Sequence, residues 1–270
     1  MRDLGLEVET VTRWFAEEQR SPFVLVRVPD EHAAAWSDVL GVSVRRCYID
    51  DTVLKARVQA TGCPRSEIVA ARLPDPGSTM SGDFGEILVF LYHAAAERDV
   101  DLIGPKKWRL KQDRTKPAPH SDVVHFVLPS WPRSSTEDRI LCSEVKTKAT
   151  AGASSPISKA IDDCEKDRTS RLAKTLVWLR ERALHEDLGS TTIDHLDRFI
   201  KATDHPQAKK CFHAVAVICE NLVDNELADA PDEAPADHTV VVIAVPNLKE
   251  RYEAVFDAAH ATVAEAGGET

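Results

Sequence analysis

The chain has 270 residues, 43% of them hydrophobic, and a formal net charge of −10, which allows one large domain, or a core with a smaller appendage, around a proper interior. The acidic balance argues against tight, autonomous binding to nucleic acid, because nonspecific affinity comes mainly from phosphate neutralisation and counterion release. Residues 1–8 lack the apolar segment of a targeting signal, and the longest apolar run, residues 87–96, includes His93 and is far too short to span a bilayer, so a soluble, cytoplasmic protein with no membrane partner is expected.

Residues 9–19 read as a short helix and 23–28 as a strand. After Pro29, a helix over 31–40 would bury Trp36 and Leu40, and 42–49 reads as another strand. The breaker cluster Leu73-Pro74-Asp75-Pro76-Gly77-Ser78-Thr79 then divides the chain into an N-terminal α/β region, residues 1–77, and a second domain, residues 78–270. The first region carries no catalytic pattern, and its role is either partner docking or added layers around the core. Six cysteines (Cys47, Cys63, Cys142, Cys164, Cys211, Cys219) form no Cys-x-x-Cys pair, which argues against a zinc site or a disulfide scaffold and fits small apolar side chains in a reducing compartment.

A helix over 83–98 is apolar nearly all round, with Phe84, Ile87, Leu88, Val89, Phe90, Leu91 and Tyr92, and should be largely buried. Glu86 in its first turn has two readings. With Asp83 as N-cap it approximates a capping box; the other reading, an acid associated with a metal, is implied by a family resemblance that the motifs of residues 82–148 carry. Between Gly104 and His120, Lys106, Lys107, Arg109, Lys111, Arg114 and Lys116 face the single acid Asp113. Strands are expected over 107–111, 122–128 and 140–147. Ser155 as N-cap and Pro156 at the first helical position open a helix with Ile157, Ala160, Ile161 and Cys164 on one side, continuing with a break through Leu172, Leu176 and Leu179. Strands over 212–219 and 239–245 flank an acidic stretch, 221–238, whose composition reads as a mobile loop, and a helix over 248–263 closes the chain.

The chemistry concentrates on Leu141-Cys142-Ser143-Glu144-Val145-Lys146-Thr147-Lys148. Two residues apart on a strand, Glu144 and Lys146 project from the same face. The preceding strand opens with Asp122, after Pro117, Pro119 and Ser121. Asp122 and Glu144 offer the hard oxygen donors that Mg²⁺ prefers, with Mn²⁺ able to substitute. Two carboxylates about 4 Å apart would repel by roughly 4 kcal/mol at an effective dielectric of 20, so such a pair calls for a cation. Lys146, beside these acids, should stay protonated and orient water or stabilise charge. The plainer reading is an ordinary ion pair on a half-exposed strand; Asp122, the apolar neighbours and Glu86 weigh against it. Strand parity sends His125 to the face opposite Asp122, a structural position, and His120 has no His-x-x-x-His partner. The absence of a Gly-x-x-x-x-Gly-Lys-Ser/Thr loop argues against ATP-driven translocation by this chain. Lys107, Arg109, Lys148 and Lys159, with Arg171 and Lys174, are candidate DNA phosphate contacts; a solvated face is the alternative for each.

An acid at one strand start and Glu-x-Lys on the next resembles the PD-(D/E)xK nucleases. The order helix, three strands, helix, strand matches their αβββαβ restriction-endonuclease-like core, a mixed sheet flanked by helices, here with an N-terminal α/β extension. Ser121 stands where that superfamily often has Pro. Gly82-Asp83-Phe84-Gly85-Glu86-Ile87-Leu88, Lys107-Trp108-Arg109, Ser121-Asp122-Val123-Val124-His125-Phe126 and Ser143-Glu144-Val145-Lys146-Thr147-Lys148, in that order, closely resemble the HamA family, the small subunit of the Hachiman antiphage defence system. The resemblance covers residues 78 onward. It implies a metal-dependent DNase partnered with a HamB-like superfamily 2 helicase, with Asp122, Glu144 and Lys146 catalytic and Glu86 in support, Asp122, Glu144 and Glu86 being the metal candidates. Two alternatives remain: a nonenzymatic scaffold subunit for the helicase, and a sequence-specific restriction endonuclease.

Overall fold

The computed structural model describes residues 1–100, 102–205 and 208–262. Within them one mixed seven-stranded sheet runs in the order β1-β2-β7-β6-β5-β4-β3. The strands are β1 (Ala16–Arg20), β2 (Phe23–Arg27), β3 (Leu102–Ile103), β4 (Val123–Val127), β5 (Arg139–Lys148), β6 (Lys209–Cys219) and β7 (Thr239–Val245). β3, β4 and β5 pair antiparallel, whereas β5, β6, β7 and β2 pair parallel. The central parallel strands are buried on both faces, hence the near-continuous apolar runs of β6 and β7.

The helices are α1 (Val8–Thr12), α2 (Asp30–Ala34), α3 (Trp36–Tyr48), α4 (Asp51–Thr61), α5 (Arg65–Ala70), α6 (Ser78–Ala96), α7 (Pro156–Lys166), α8 (Leu172–Ala183), α9 (Ile193–Ile200), α10 (Val223–Ala228) and α11 (Leu248–Ala261). Alternating strand residues feed two cores. Val123, Val145, Val217 and Ile243 pack with α3, α6 and α11, while Val124, Cys142, Ala216 and Val242 pack with α7, α8 and α9. The sheet is therefore sandwiched between two helical layers, the α/β architecture expected of a nuclease-like core. No helix among the described residues is long and apolar enough to cross a membrane. All six cysteines are free, and Cys47, Cys142, Cys164 and Cys219 are buried.

Several expected elements take another form. The helix expected over 9–19 ends at Thr12, and Ala16–Arg20 is an exposed edge strand paired with the largely buried Phe23–Arg27. The strand expected over 42–49 is the second half of α3: Trp36, Leu40, Val44, Cys47 and Tyr48 are buried at helical spacing despite the β-branched valines. Gly41 lies against α11, where a Cβ would stand 3.1 Å from the Ala258 backbone. The strand expected over 107–111 is a 3-10 turn, Lys107–Leu110, which sends Trp108 and Leu110 into different cores, and the sheet edge belongs to β3. The acidic stretch expected as a mobile loop includes α10, whose Glu226 is bonded to Lys148. The closing helix is described to Ala261, and its expected last residue, Val263, lies outside the described residues.

Candidate active site

β4 and β5 bring the predicted residues together. β4 begins at Val123 opposite Ser143, so β5 continues past the end of its neighbour. Asp122 occupies the gap, and its Oδ2 accepts the Val145 backbone N–H at 2.8 Å. This bond sets Asp122 beside the Glu144-Val145-Lys146 segment.

Glu144 is nearly fully buried, its side chain only 3% exposed, and is clasped by two cations. Lys146 Nζ donates to Oε1 at 2.5 Å and Arg171 to Oε2 at 2.6 Å. Burial nonetheless pushes the Glu144 carboxyl up to about 7, with the Asp122 charge adding to the shift. Burial works against the charge on Lys146, but its bonds to Asp163 and Glu144 outweigh that and hold its pKa above the usual lysine value. Lys146 is thus a held ammonium, suited to orienting a water or stabilising negative charge and poorly suited to accepting a proton.

Glu86 approaches from the helical layer on the other side. α6 starts at Ser78, so Asp83 and Glu86 lie well inside the helix, and the capping reading of this pair is replaced by another. Glu86 Oε2 accepts from Trp108 Nε1 at 3.1 Å and lies 3.3 Å from Lys107 Nζ. Burial pushes its carboxyl well above the usual range; Lys107 opposes this, while Asp122 and Asp83 reinforce it. Asp83 Oδ2 accepts from Tyr48 at 2.6 Å and Lys111 at 2.7 Å, which ties α3 in the N-terminal region to this cluster.

The four basic residues expected at DNA have different surroundings. Lys107 is buried between Glu86 and Asp122, 3.7 Å from the latter, and donates to the Ser121 carbonyl at 2.9 Å. Arg109 turns away, donating to the Arg46 carbonyl and pairing with Asp187. Lys148 donates to the carbonyls of Gly152 at 2.8 Å and Ser154 at 2.7 Å, besides its bond to Glu226. Lys159 is exposed on α7. His125 is buried on the α6 side, away from Asp122, beside Phe90 and His93.

Sequence reasoning missed Asp163 and Asp167 and assigned Arg171 differently. Asp163 accepts from Lys146 at 2.8 Å. Asp167 accepts from Ser121 Oγ at 2.7 Å and stands 3.5 Å from Arg171 Nε. Asp163 lies on α7, and a π-helical turn, Asp167–Arg171, joins α7 to α8 and brings Asp167 and Arg171 to the same side of β5. Their spacing of four residues along a helical stretch was the available signal.

Among the described residues, no three His, Cys, Asp or Glu side chains are grouped so as to hold a metal ion. The donor set nevertheless suits a hard divalent ion. Asp122 and Glu144 supply oxygens, and the Asp122 charge disfavours ionisation of Glu144, Glu86 and Asp167 alike, a repulsion that a cation would relieve. Any ion held by Glu144 has to compete there with Lys146 and Arg171.

A mixed sheet between two helical layers, with an acid just before β4 and Glu-x-Lys on β5, places the chain in the nuclease-like class of α/β folds. The chain belongs to the HamA family, whose profile matches residues 8–259. It is accordingly a component of the Hachiman antiphage defence system. Comparison with curated proteins returns no match.

Proposed function

We propose that the chain is the metal-dependent DNase of its defence system, hydrolysing DNA phosphodiesters when released or directed by a HamB-like superfamily 2 helicase. One observation carries this reading: the Val145 N–H bond to Asp122 brings that carboxylate beside Glu144 and Lys146 at one end of the sheet. Asp122 and Glu144 would hold Mg²⁺, or Mn²⁺ in its place, with Glu86 and Lys107 supporting Asp122 from behind. The chemistry supplied by such an ion is activation of water and neutralisation of charge on the phosphate. Lys146 keeps its proton on Nζ and stabilises charge developing on the phosphate oxygens. Arg171, already bound to Glu144, is placed to do the same. Family membership supports the partnership with a helicase, as does the acidity of a chain that needs DNA delivered to it.

The test is degradation of plasmid and linear DNA in Mg²⁺ by the chain alone and with its helicase and ATP, beside Glu144→Ala at matched folding. Loss of a DNA smear in the variant supports the site, and discrete fragments would indicate a restriction endonuclease. A second reading, a nonenzymatic scaffold for the helicase, draws on the occupation of both Glu144 oxygens by cations. Antiphage defence fully retained by Glu144→Ala would select it.

A further inference from the structure

A groove of about 670 Å³ opens beside Lys146, walled by the first turns of α6, the loop over 149–154 and the first turn of α11. Although 44 of the 270 residues are Asp or Glu, none of the groove's sixteen lining residues is acidic; its charged members are Lys146, Lys148 and Lys249. Lys148 is tied to Glu226. Lys249 is half exposed, with Glu253 only at 3.9 Å. Two long helices begin at this groove, α6 after Gly77 and α11 after Asn247, and neither has a side-chain cap. Their first backbone N–H groups and the positive ends of their dipoles favour an anion.

Glycines at and behind the groove point the same way. Gly85 in α6 is required by the protein's own packing, since a Cβ there would stand 2.1 Å from Thr147 Oγ1. Gly82, one turn earlier, is different: it sits inside the helix, where glycine lowers stability, yet a Cβ would meet nothing within 4 Å. Gly152 across the groove is equally unobstructed. Neither has a positive φ. Bare backbone on both walls of an acid-free groove is what close approach by a ligand requires.

We infer that this groove is the track for the DNA strand being cut, holding its sugar–phosphate backbone next to the Glu144-Lys146 site through the starts of α6 and α11, Lys249 and the bare faces at Gly82 and Gly152. This rests on the proposed nuclease function and adds to it the path of the substrate. The contacts are to backbone and leave base identity unread, so binding is sequence-independent.

The experiment measures binding of a fluorescein-labelled single-stranded oligonucleotide to the full chain in EDTA, across a salt series, and separately its cleavage in Mg²⁺. Gly82→Leu obstructs the groove and Lys249→Glu reverses the charge of its most exposed lysine; each should weaken binding by about tenfold or more. Lys249→Ala should lower the salt slope by about 1. Gly82→Leu should also melt no lower than wild type, because leucine favours helix over glycine, so its binding loss cannot be misfolding. Wild-type binding by both groove variants, or no binding by the wild type, overturns the inference. If cleavage needs Glu144 but ignores both variants, the track is wrong and the nuclease reading stands. If the wild type binds through the groove and cuts nothing even with its helicase and ATP, the groove remains a DNA-binding surface, but the nuclease reading and the cut-strand track built on it both fail.

Discussion

Asp122 Oδ2 accepts the backbone N–H of Val145 at 2.8 Å, so the side chain does for β5 what the missing continuation of β4 would have done. The same carboxylate that would hold a metal also completes the strand end. The two duties separate by substitution. Asp122→Asn keeps an oxygen for Val145 but loses the charge, and should abolish DNA degradation with a melting temperature near wild type. Asp122→Ala should abolish it too and cost about 1–2 kcal/mol for the unmet N–H. Activity assays with urea unfolding check both, and an active Asp122→Asn would remove Asp122 from the chemistry.

Lys107 is the keystone cation behind the site. It is buried, with Glu86 at 3.3 Å and Asp122 at 3.7 Å. Burial alone would lower its pKa; the charges of Glu86 and Asp122 prevail and raise it. Lys107→Met should therefore cost about 3–5 kcal/mol, because it leaves the buried Glu86 carboxylate without its cation. Adding Glu86→Gln should restore much of that loss. Equal stability of the single and double variants would show that the contact carries no such coupling.

These two residues mark how much of the molecule was readable in advance. Asp122, Glu144 and Lys146 were legible because β5 is a regular strand, and period two alone puts positions 144 and 146 on one face. The role of Lys107 was not, because the alternation of Trp108 and Leu110 imitates a strand where the chain makes a 3-10 turn. Asp167 and Arg171 reach the site through a π-helical turn, which local propensity does not announce, and Asp163 lies on α7 one turn before it. The second half of α3 was hidden by its valines, which imitate a strand; the helical form is decided by packing of that helix against α11, far away in sequence. The order of elements survived these errors because the breakers and apolar runs that bound the central strands are local features.

The ionisation of Glu144 gives stability a pH dependence that metal should change. Burial and the Asp122 charge raise its pKa to about 7 in the folded chain against an ordinary 4.5. Between these values the folded state binds more protons than the unfolded state, so this group's contribution falls as pH rises from 4.5 to 7 and stays low above. Metal-free urea unfolding should show Glu144→Gln gaining on the wild type by about 1–3 kcal/mol across that window. Mg²⁺ should raise the wild-type melting temperature most above pH 7, with no such effect on Glu144→Gln or Asp122→Asn. A Mg²⁺ response shared by all three proteins would place the ion elsewhere.

A buried histidine cluster works in the opposite direction. His93, His125 and His213 lie between α6 and the sheet, with ring centroids 4.8 Å apart for His93 and His213 and 5.5 Å for His93 and His125. His93 Nε2 bonds to Ser143 Oγ at 2.7 Å, whereas neither ring nitrogen of His125 has a hydrogen-bond partner among the described residues. Burial lowers His213 to about 4, and burial together with the neighbouring imidazoles drives His93 and His125 well below the usual value. Their stability contribution is complete above pH 6.5 and is lost as pH falls, since the unfolded chain takes up protons that the folded core refuses. Each imidazole's contribution falls by up to about 1.4 kcal/mol per pH unit below 6.5. His125→Phe preserves an aromatic ring beside Phe90 and removes one titrating group, so it should match wild type near pH 7.5 and lose less stability between pH 6.5 and 4.5. Urea titrations at these pH values, run in the Glu144→Gln background to remove the opposing slope, measure the difference. Parallel pH profiles for the two proteins would mean that His125 already takes up its proton in the folded state.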